Sequence, residues 1–537
     1  MVKIFPSIDN VDVTKQNLQI QTFGRRIFNS QTVPEYFLEF LLVFLGEKSN
    51  SDSRIGFDKV DSWDSEKVTY MKNPNIGLKR FIFFDKTKLE SRYNVDIDAY
   101  NEINKLLENK IESQSYSKET ILNIIRDLLS GFSLVTGNRG WFAQSLMPIC
   151  RETIFCEAIG AKAKRKSLNM HDDDGEINIE TESSFQFTQH AFQARGGEVY
   201  YLHLLQGLNA ISRVEGEEKA IKYKENLEKL ILNLVDTYTD FSKISSWIQD
   251  NWLNFLSEKS DEVENKDELI KMLKQKGDCQ WIVNDYESRS SHSVKEIINV
   301  LKADVNEFEK INLLSKGIVL QVLRMMSEAA YIQSRDDSNG NNRCWIMHFN
   351  SNNDTNNKTK RLAVEGFKEV EEDMMIALAK KLNITKQSEI IDETGKKKKK
   401  TEIQLLKEAY DDSYKLLRKL GKDIGIIIPL KGDSMRFTLP DDIVRFLVLA
   451  LIPPASKMTL DSFLKKLYDH FSIVIGRKQH NKNIEVRGLK FKDTSYLKHN
   501  LDEFQGVLKK NGFLKELSDA TSMVINPYNK VQGIEVE

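Results

Sequence analysis

The chain has 537 residues, beyond the size at which one hydrophobic core keeps growing, so roughly two to four domains are expected. It is 40% hydrophobic and 29% charged with 9 prolines, a globular balance shifted towards helix and a charged surface. The formal net charge of -1 conceals an asymmetry: residues 396–537 hold 27 Lys+Arg against 18 Asp+Glu, a local +9, which leaves -10 for residues 1–395. An acidic body with a basic end points to a module that faces polyanions, set against the plainer reading of solvated faces plus one lysine run.

The start, MVKIFPSIDNVDV, lacks a basic segment followed by an apolar one. The apolar runs at Phe37–Leu45 and Phe446–Pro454 are about half the ~20 residues a bilayer span needs. A cytoplasmic protein with no membrane contact is therefore expected. Cys150, Cys156, Cys279 and Cys344 form no CxxC pair and read as buried thiols in a reducing compartment.

In chain order, TVPEYFLEFLLVFLG predicts a buried helix with Thr32 as cap, Pro34 in the first turn and a stop at Gly46. Residues 47–67 read as a polar loop. Leu78–Lys86 is a strand candidate after the Asn73-Pro74 turn. Helices are expected near 97–111 and 118–130, then a turn and a helix through 133–160. Residues 161–185 place a basic cluster beside an acidic one, without apolar periodicity, and read as a linker. From Phe185 to about Tyr331 the chain predicts stacked amphipathic helices, with a kink near Gly317. RCWIMHF (343–349) is a strand candidate, and a helix is expected over about 361–382. The five lysines 396–400 read as a solvated hinge or tail-like loop, with polyanion contact as the alternative.

Residues 401–537 predict a helix ending at Gly421, a strand at IGIIIPL and a helix at LPDDIVRFLVLAL. A helix capped by Thr459, a basic connector, a helix ending at Asn511-Gly512 and two short strands around Ser518-Asp519-Ala520 follow. Three helices and then a two-stranded ribbon is the order of a winged helix. In such modules one helix enters the major groove and the ribbon contacts the backbone, with Lys and Arg reaching the phosphates. The candidate nucleic-acid contacts are Arg477, Lys478, Lys482, Arg487, Lys490, Lys492, Lys498, Lys509 and Lys510. The connector, about 25 residues long, exceeds that of a compact helix-turn-helix, and winged helices also dock proteins.

Catalytic signatures are missing. There is no GxxxxGK[ST], no GxGxxG after a strand, no HExxH and no GxSxG, so hydrolysis of ATP or GTP is not expected. HDDDGE (171–176) departs from a calcium loop, because its Asp residues are contiguous and Thr181 occupies the place of the bidentate Glu. Asp64-Ser65-Glu66-Lys67 is a chance-level match to a metal-dependent nuclease motif. No catalytic residue, metal ligand or cofactor is assigned. HAFQARGGEVYYLHLL (190–205) has two readings. Gly196-Gly197 either opens a helix start to an anion or breaks a helix whose Tyr200, Tyr201, Leu204 and Leu205 are core, and the second is favoured.

FGRRIFNSQTVPEYFLEFLLVFLG (23–46) and NGFLKELSDATSMVINPY (511–528) resemble accessory proteins of bacterial and archaeal antiphage operons of the phosphorothioation-dependent restriction type. The resemblance implies a non-catalytic subunit working beside an ATPase, helicase or nuclease, and it carries no functional residues over. The expectation is a mainly α, multi-domain helical body with small β additions and a C-terminal winged-helix-like domain. Its parts are a mixed, mostly helical 1–160, a helical bundle 185–385 and the winged-helix-like 401–537. The expected role is that of a DNA-associated accessory or scaffold subunit that binds double-stranded DNA. The alternatives are a diverged metal-dependent nuclease and a purely structural assembly protein.

Overall fold

The structure is a computed structural model. It describes residues 18–530 apart from 24–26, 28–30, 49–54, 58–66, 73–75, 86–93, 136–138, 156–157, 160–185, 188–195, 259–262, 281–286, 336–342, 350–356, 383–388, 392–396, 400, 487–494 and 518–520. The fold is mainly helical, with a few small sheets. Among the described residues no helix is long and apolar enough to cross a membrane.

The N-terminal part opens with α1 (Leu18–Phe23) and α2 (Val33–Leu45). Thr32 and Glu35 form a reciprocal capping box, Pro34 lies in the first turn, and Gly46 ends α2. β1 (Glu47–Lys48) and β2 (Lys67–Lys72) follow, then α3 (Leu78–Phe83). The strand expected at Leu78–Lys86 is therefore a helix. Every residue of α3 is buried, Lys79 and Arg80 included, so its charged pair marks no solvent face whose period separates helix from strand. Arg80 meets the buried Asp96 at 3.3 Å, and Arg126 Nε donates to the Phe81 carbonyl at 2.9 Å.

α4 (Asn94–Asn109) and α5 (Lys118–Ser130), the latter capped by Ser117, stand near the positions expected. The helix expected after them does not form. The chain instead makes β3 (Ser133–Val135), β4 (Ser145–Leu146), β5 (Ala158–Ile159) and two 3-10 turns, and Pro148 bars a continuous helix there. β6 (Gln186–Phe187) pairs with β5.

The body is built on α6 (Gly196–Glu215), α7 (Glu217–Val235), α8 (Thr239–Glu258) and α9 (Lys266–Leu273), with β7 (Gln275–Gln280) closing a β1-β2-β7 sheet. α10 (Glu287–Lys302) and α11 (Glu307–Ser334) come next. The break falls at 303–306, where Asn306 caps α11, and not at Gly317. Gly317 is needed because a Cβ there would strike the Phe446 ring. β8 (Trp345–Ile346) confirms the short strand in RCWIMHF, and α12 (Asn357–Leu382) follows. Within the lysine run, where a loop was expected, β10 (Lys397–Lys399) pairs antiparallel with β9 (Glu389–Ile391), and Lys396 and Lys400 lie outside the described residues.

The C-terminal part runs α13 (Glu402–Asp423), β11 (Ile427–Ile428), β12 (Arg436–Phe437), α14 (Asp441–Leu451), β13 (Lys457–Thr459), α15 (Leu460–Phe471) and β14 (Ile473–Val474). It closes with α16 (Arg477–Val486), α17 (Leu497–Lys510), β15 (Leu514–Glu516) and β16 (Ser522–Ile525). β13, β16 and β15 form a three-stranded antiparallel sheet in that order. β14 pairs in parallel with β8, far back in the sequence. Asn500 on α17 strengthens the tie. Its amide accepts from Phe349 N–H at 3.0 Å and donates to the carbonyls of Met347 and Ile475 at 3.0 and 2.9 Å.

Two apolar clusters hold these elements. The larger draws on α2, α6, α7 and α10 through α15. The smaller gathers α3, α4, α5, α8 and α9 around Trp141 and Trp252. α6 is buried without interruption from Gly196 to Ile211. It approaches α2 so closely that a Cβ on Gly197 would fall on the Tyr36 carbonyl and the Phe40 nitrogen, both backbone atoms that cannot step aside.

Gly197→Ala should therefore destabilise the fold by about 3 kcal/mol, the upper end for overpacking. Gly506→Ala, where a Cβ would meet nothing within 4 Å on a helix, should instead stabilise by about 0.5–1 kcal/mol. Urea unfolding of both variants checks the pair, and equal midpoints would contradict the packing.

Candidate functional site

The residues expected to meet DNA divide into three sets. Arg477, Lys478 and Lys482 lie on α16, a helix where a loop connector was expected. Lys498, Lys509 and Lys510 lie on α17. Arg487, Lys490 and Lys492 lie outside the described residues. Four of the described lysines face the chain's own carboxylates: Lys478 meets Asp461 at 2.5 Å, Lys482 Asp469 at 3.5 Å, Lys509 Glu516 at 3.4 Å and Lys510 Asp441 at 3.3 Å. Burial works to raise Asp469, but the Lys465 and Lys482 ammoniums outweigh it and hold its carboxyl below the usual range. Surface pairs of this kind contribute only about 0–1 kcal/mol, so these lysines can exchange partners at small cost. Arg477 and Lys498 are exposed and form no ion pair among the described residues.

The double glycine is structural. Gly197 N–H donates to the buried Glu39 carboxylate at 2.5 Å, so the positive end of α6 is answered from within. Glu198 accepts from Tyr70 Oη at 3.1 Å, and Tyr200, Tyr201, Leu204 and Leu205 are core. Among the described residues no group of His, Cys, Asp and Glu can hold a metal ion. HDDDGE, Asp64 and Glu66 lie outside the described residues, and Lys67 opens β2. Cys150 is buried and its thiol is pushed up to about 12 by burial and Glu152, which disfavours a thiolate nucleophile.

A cleft of about 760 Å³ opens where α7 and α10 meet α14 and α15, a size ordinary for ligand sites. It is the feature that sequence reasoning missed. Five lysines line it against two glutamates: Lys219 and Lys222 from α7, Lys295 and Lys302 from α10, and Lys466 from α15, facing Glu215 and Glu296. Glu215 engages Lys295 at 2.5 Å and Lys219 at 3.8 Å. Lys222, Lys302 and Lys466 have no carboxylate within ion-pairing distance among the described residues, and Lys466 donates to the Leu451 carbonyl at 3.0 Å. Burial lowers the pKa of both Lys302 and Lys466; nearby Lys530 adds to the effect on Lys302, and Glu296 partly offsets it on Lys466. The signal was present in α10. His292, Lys295, Glu296, Asn299 and Lys302 recur at helical spacing and make one polar stripe, while Val294, Ile297 and Leu301 enter the core.

A polar network backs the cleft. The His292 and His470 rings stack with centroids 3.8 Å apart, and His470 Nδ1 lies 2.8 Å from Glu296 Oε1. Gln321 Nε2 donates to Glu296 Oε2 at 3.2 Å. Deeper in, Arg289 pairs with Glu328 at 3.4 Å, and His203 Nε2 shares a hydrogen bond of 2.9 Å with Ser293. Burial, aided by Arg289, lowers His203 to about 3. Burial also lowers His292 to about 4, with His470, Lys295, Lys466 and Arg289 adding to it.

No protein-family model, curated protein or solved structure matches this chain, so its function is read from its own residues.

The histidines set an acid limit. A histidine near 6.5 when unfolded and near 3 when folded binds its proton only in the unfolded chain between those values. Stability is thus full above about pH 6.5 and falls with decreasing pH until about pH 3, by up to about 1.4 kcal/mol per pH unit for His203. Urea midpoints across pH 4–7 should slope downwards towards acid, and His203→Gln should flatten that slope. An unchanged slope in the variant would remove His203 as the cause.

Proposed function

We propose that this chain is a non-catalytic, DNA-associated accessory subunit of a cytoplasmic antiphage defence complex. Its helical body docks partner proteins of the ATPase, helicase or nuclease kind, and a winged-helix-like C-terminal module meets double-stranded DNA. One observation carries the DNA half: the order α14-β13-α15-α17-β15-β16, with the sheet in the order β13-β16-β15. In that order α17 takes the place of the groove-reading helix, and the β15–β16 hairpin that of the wing. The basic segment 477–492 precedes α17 by four residues in sequence. The module departs from a compact winged helix by inserting β14 and α16 between its second and third helices, and β14 ties it to β8 of the body. The defence setting rests on the sequence resemblance of 23–46 and 511–528. The alternative of a metal-dependent nuclease draws no support from the described residues, which bring no carboxylate cluster together.

The test is a titration of the full chain against a short duplex at several salt concentrations, because the module shares a strand pair with the body and is not self-contained. The affinity should fall with a log–log slope of roughly 0.9 per phosphate neutralised. Changing Arg477, Lys478, Lys482 and Arg487 together to Ala should flatten the slope by roughly 0.9 for each contact made. Asp461→Asn with Asp469→Asn should tighten binding by releasing Lys478 and Lys482. No binding at low salt, or a quadruple variant that binds as before, would leave the module as a protein-docking surface.

A further inference from the structure

The lysine-lined cleft is built for a ligand the rest of the molecule does not supply. Two of its cations, Lys222 and Lys302, lack a carboxylate partner among the described residues; Lys466 feels the charge of Glu296 without an ion-pair contact, and both it and Lys302 are half-buried. The antiparallel bridge between Ala303 and Lys530 brings a further lysine close to Lys302. Concentrating like charges in a concave, partly desolvated space is unfavourable until an anion enters. The excess of five lysines over two glutamates matches a ligand carrying about three negative charges.

The cleft also has features that a bare anion leaves unused. Asn226 is 7% exposed and lines the cavity; its carboxamide Oδ1 has no hydrogen-bond partner and is sealed beneath the wall, so a ligand donor reaches it when the side chain turns into the cleft. A buried acceptor of this kind is satisfied by a hydroxyl or amino donor. Tyr223 offers an aromatic face, over which Lys295 Nζ already sits 5.5 Å from the centroid, and Ile298, Leu451 and Pro453 make an apolar wall. Cations for phosphates, an acceptor for a sugar hydroxyl and an aromatic with apolar wall for a base belong to one chemical class.

We infer that this cleft binds a nucleoside di- or triphosphate, held by lysine ammoniums. Lys222, Lys302 and Lys466 take the phosphates, Asn226 accepts from the ribose and Tyr223 stacks on the base. The site is separate from the DNA reading. None of its lining residues belongs to α16 or α17, and the salt titration reads a different set of side chains.

The experiment is calorimetric titration of the purified full chain with ATP, with inorganic tripolyphosphate and with adenosine. ATP should bind, tripolyphosphate about tenfold more weakly, and adenosine weakest of all. Lys222→Glu, at an exposed position where folding is not at stake, and Lys302→Gln should each weaken ATP by about tenfold or more. Asn226→Leu should weaken ATP and leave tripolyphosphate as it was. Thermal melting of each variant verifies that it is folded. No ATP binding at millimolar concentration, or ATP binding unaltered in both Lys222→Glu and Lys302→Gln, would overturn the site. Tripolyphosphate binding as tightly as ATP would overturn the nucleoside part.

Discussion

The hydrogen bond from Gly197 N–H to the Glu39 carboxylate is the contact on which the helical body turns. A helix that starts inside a protein leaves several N–H groups without partners, and their aligned dipoles carry partial positive charge into an apolar setting. Glu39, itself buried in α2, answers both problems at once. It does so because Gly197 lets the two helices touch backbone to backbone, and Gly196 leaves room for the Tyr36 ring. α6 can then run buried for four turns, and α2, α7, α10 and α11 pack around it. Gly207 repeats the device further along, where a Cβ would strike the Ser290 carbonyl of α10. The placement of α10 follows from that contact, and with it the aim of its polar stripe.

α10 joins structure to function because its two faces serve different ends. Ser290, Val294, Ile297 and Leu301 fill the body, while His292, Lys295, Glu296 and Lys302 face a cavity shared with α7, α14 and α15. The polar groups behind the cavity are desolvated and interlocked: Glu296 bridges His470 and Gln321, and Arg289 bridges Glu328 and Ser472. Removing one member of such a network leaves another buried and unsatisfied, which is costlier than the hydrogen bond itself. The network therefore specifies a single arrangement of α10 against α15.

Much of the helical fold could be read from residue order, and the reasons are local. α2 carried cap, first-turn proline and terminal glycine together, and its bounds fall where those signals stand. α15 was marked by Thr459, α17 by Asn511-Gly512, and the closing hairpin by its turn residues. The misses are as specific. α3 buries all its residues, Lys79 and Arg80 included, so its charged pair marked no solvent face and periodicity carried no information. α16 reads RKQHNKNIEV, almost wholly polar in sequence, and among its described side chains Gln479 and His480 are the buried ones. The cleft was hidden because its lysines come from three helices spread over 248 positions, from Lys219 to Lys466, and only the α10 stripe is visible as a local pattern.

The parallel pair of β8 with β14 has a consequence for how the chain is made. Trp345 and Ile346 find their backbone partners at Ile473 and Val474, and the carbonyl of Met347 and the N–H of Phe349 await Asn500. A ribosome exposes the first of these segments well over a hundred residues before the second. During that interval β8 presents an unsatisfied edge beside an apolar surface, the combination that invites intermolecular pairing. The body therefore completes its fold only as the last segments emerge. Its contacts are non-local, closure is slow on the scale of helix formation, and a stalled or truncated nascent chain is the species most exposed to aggregation and chaperone capture.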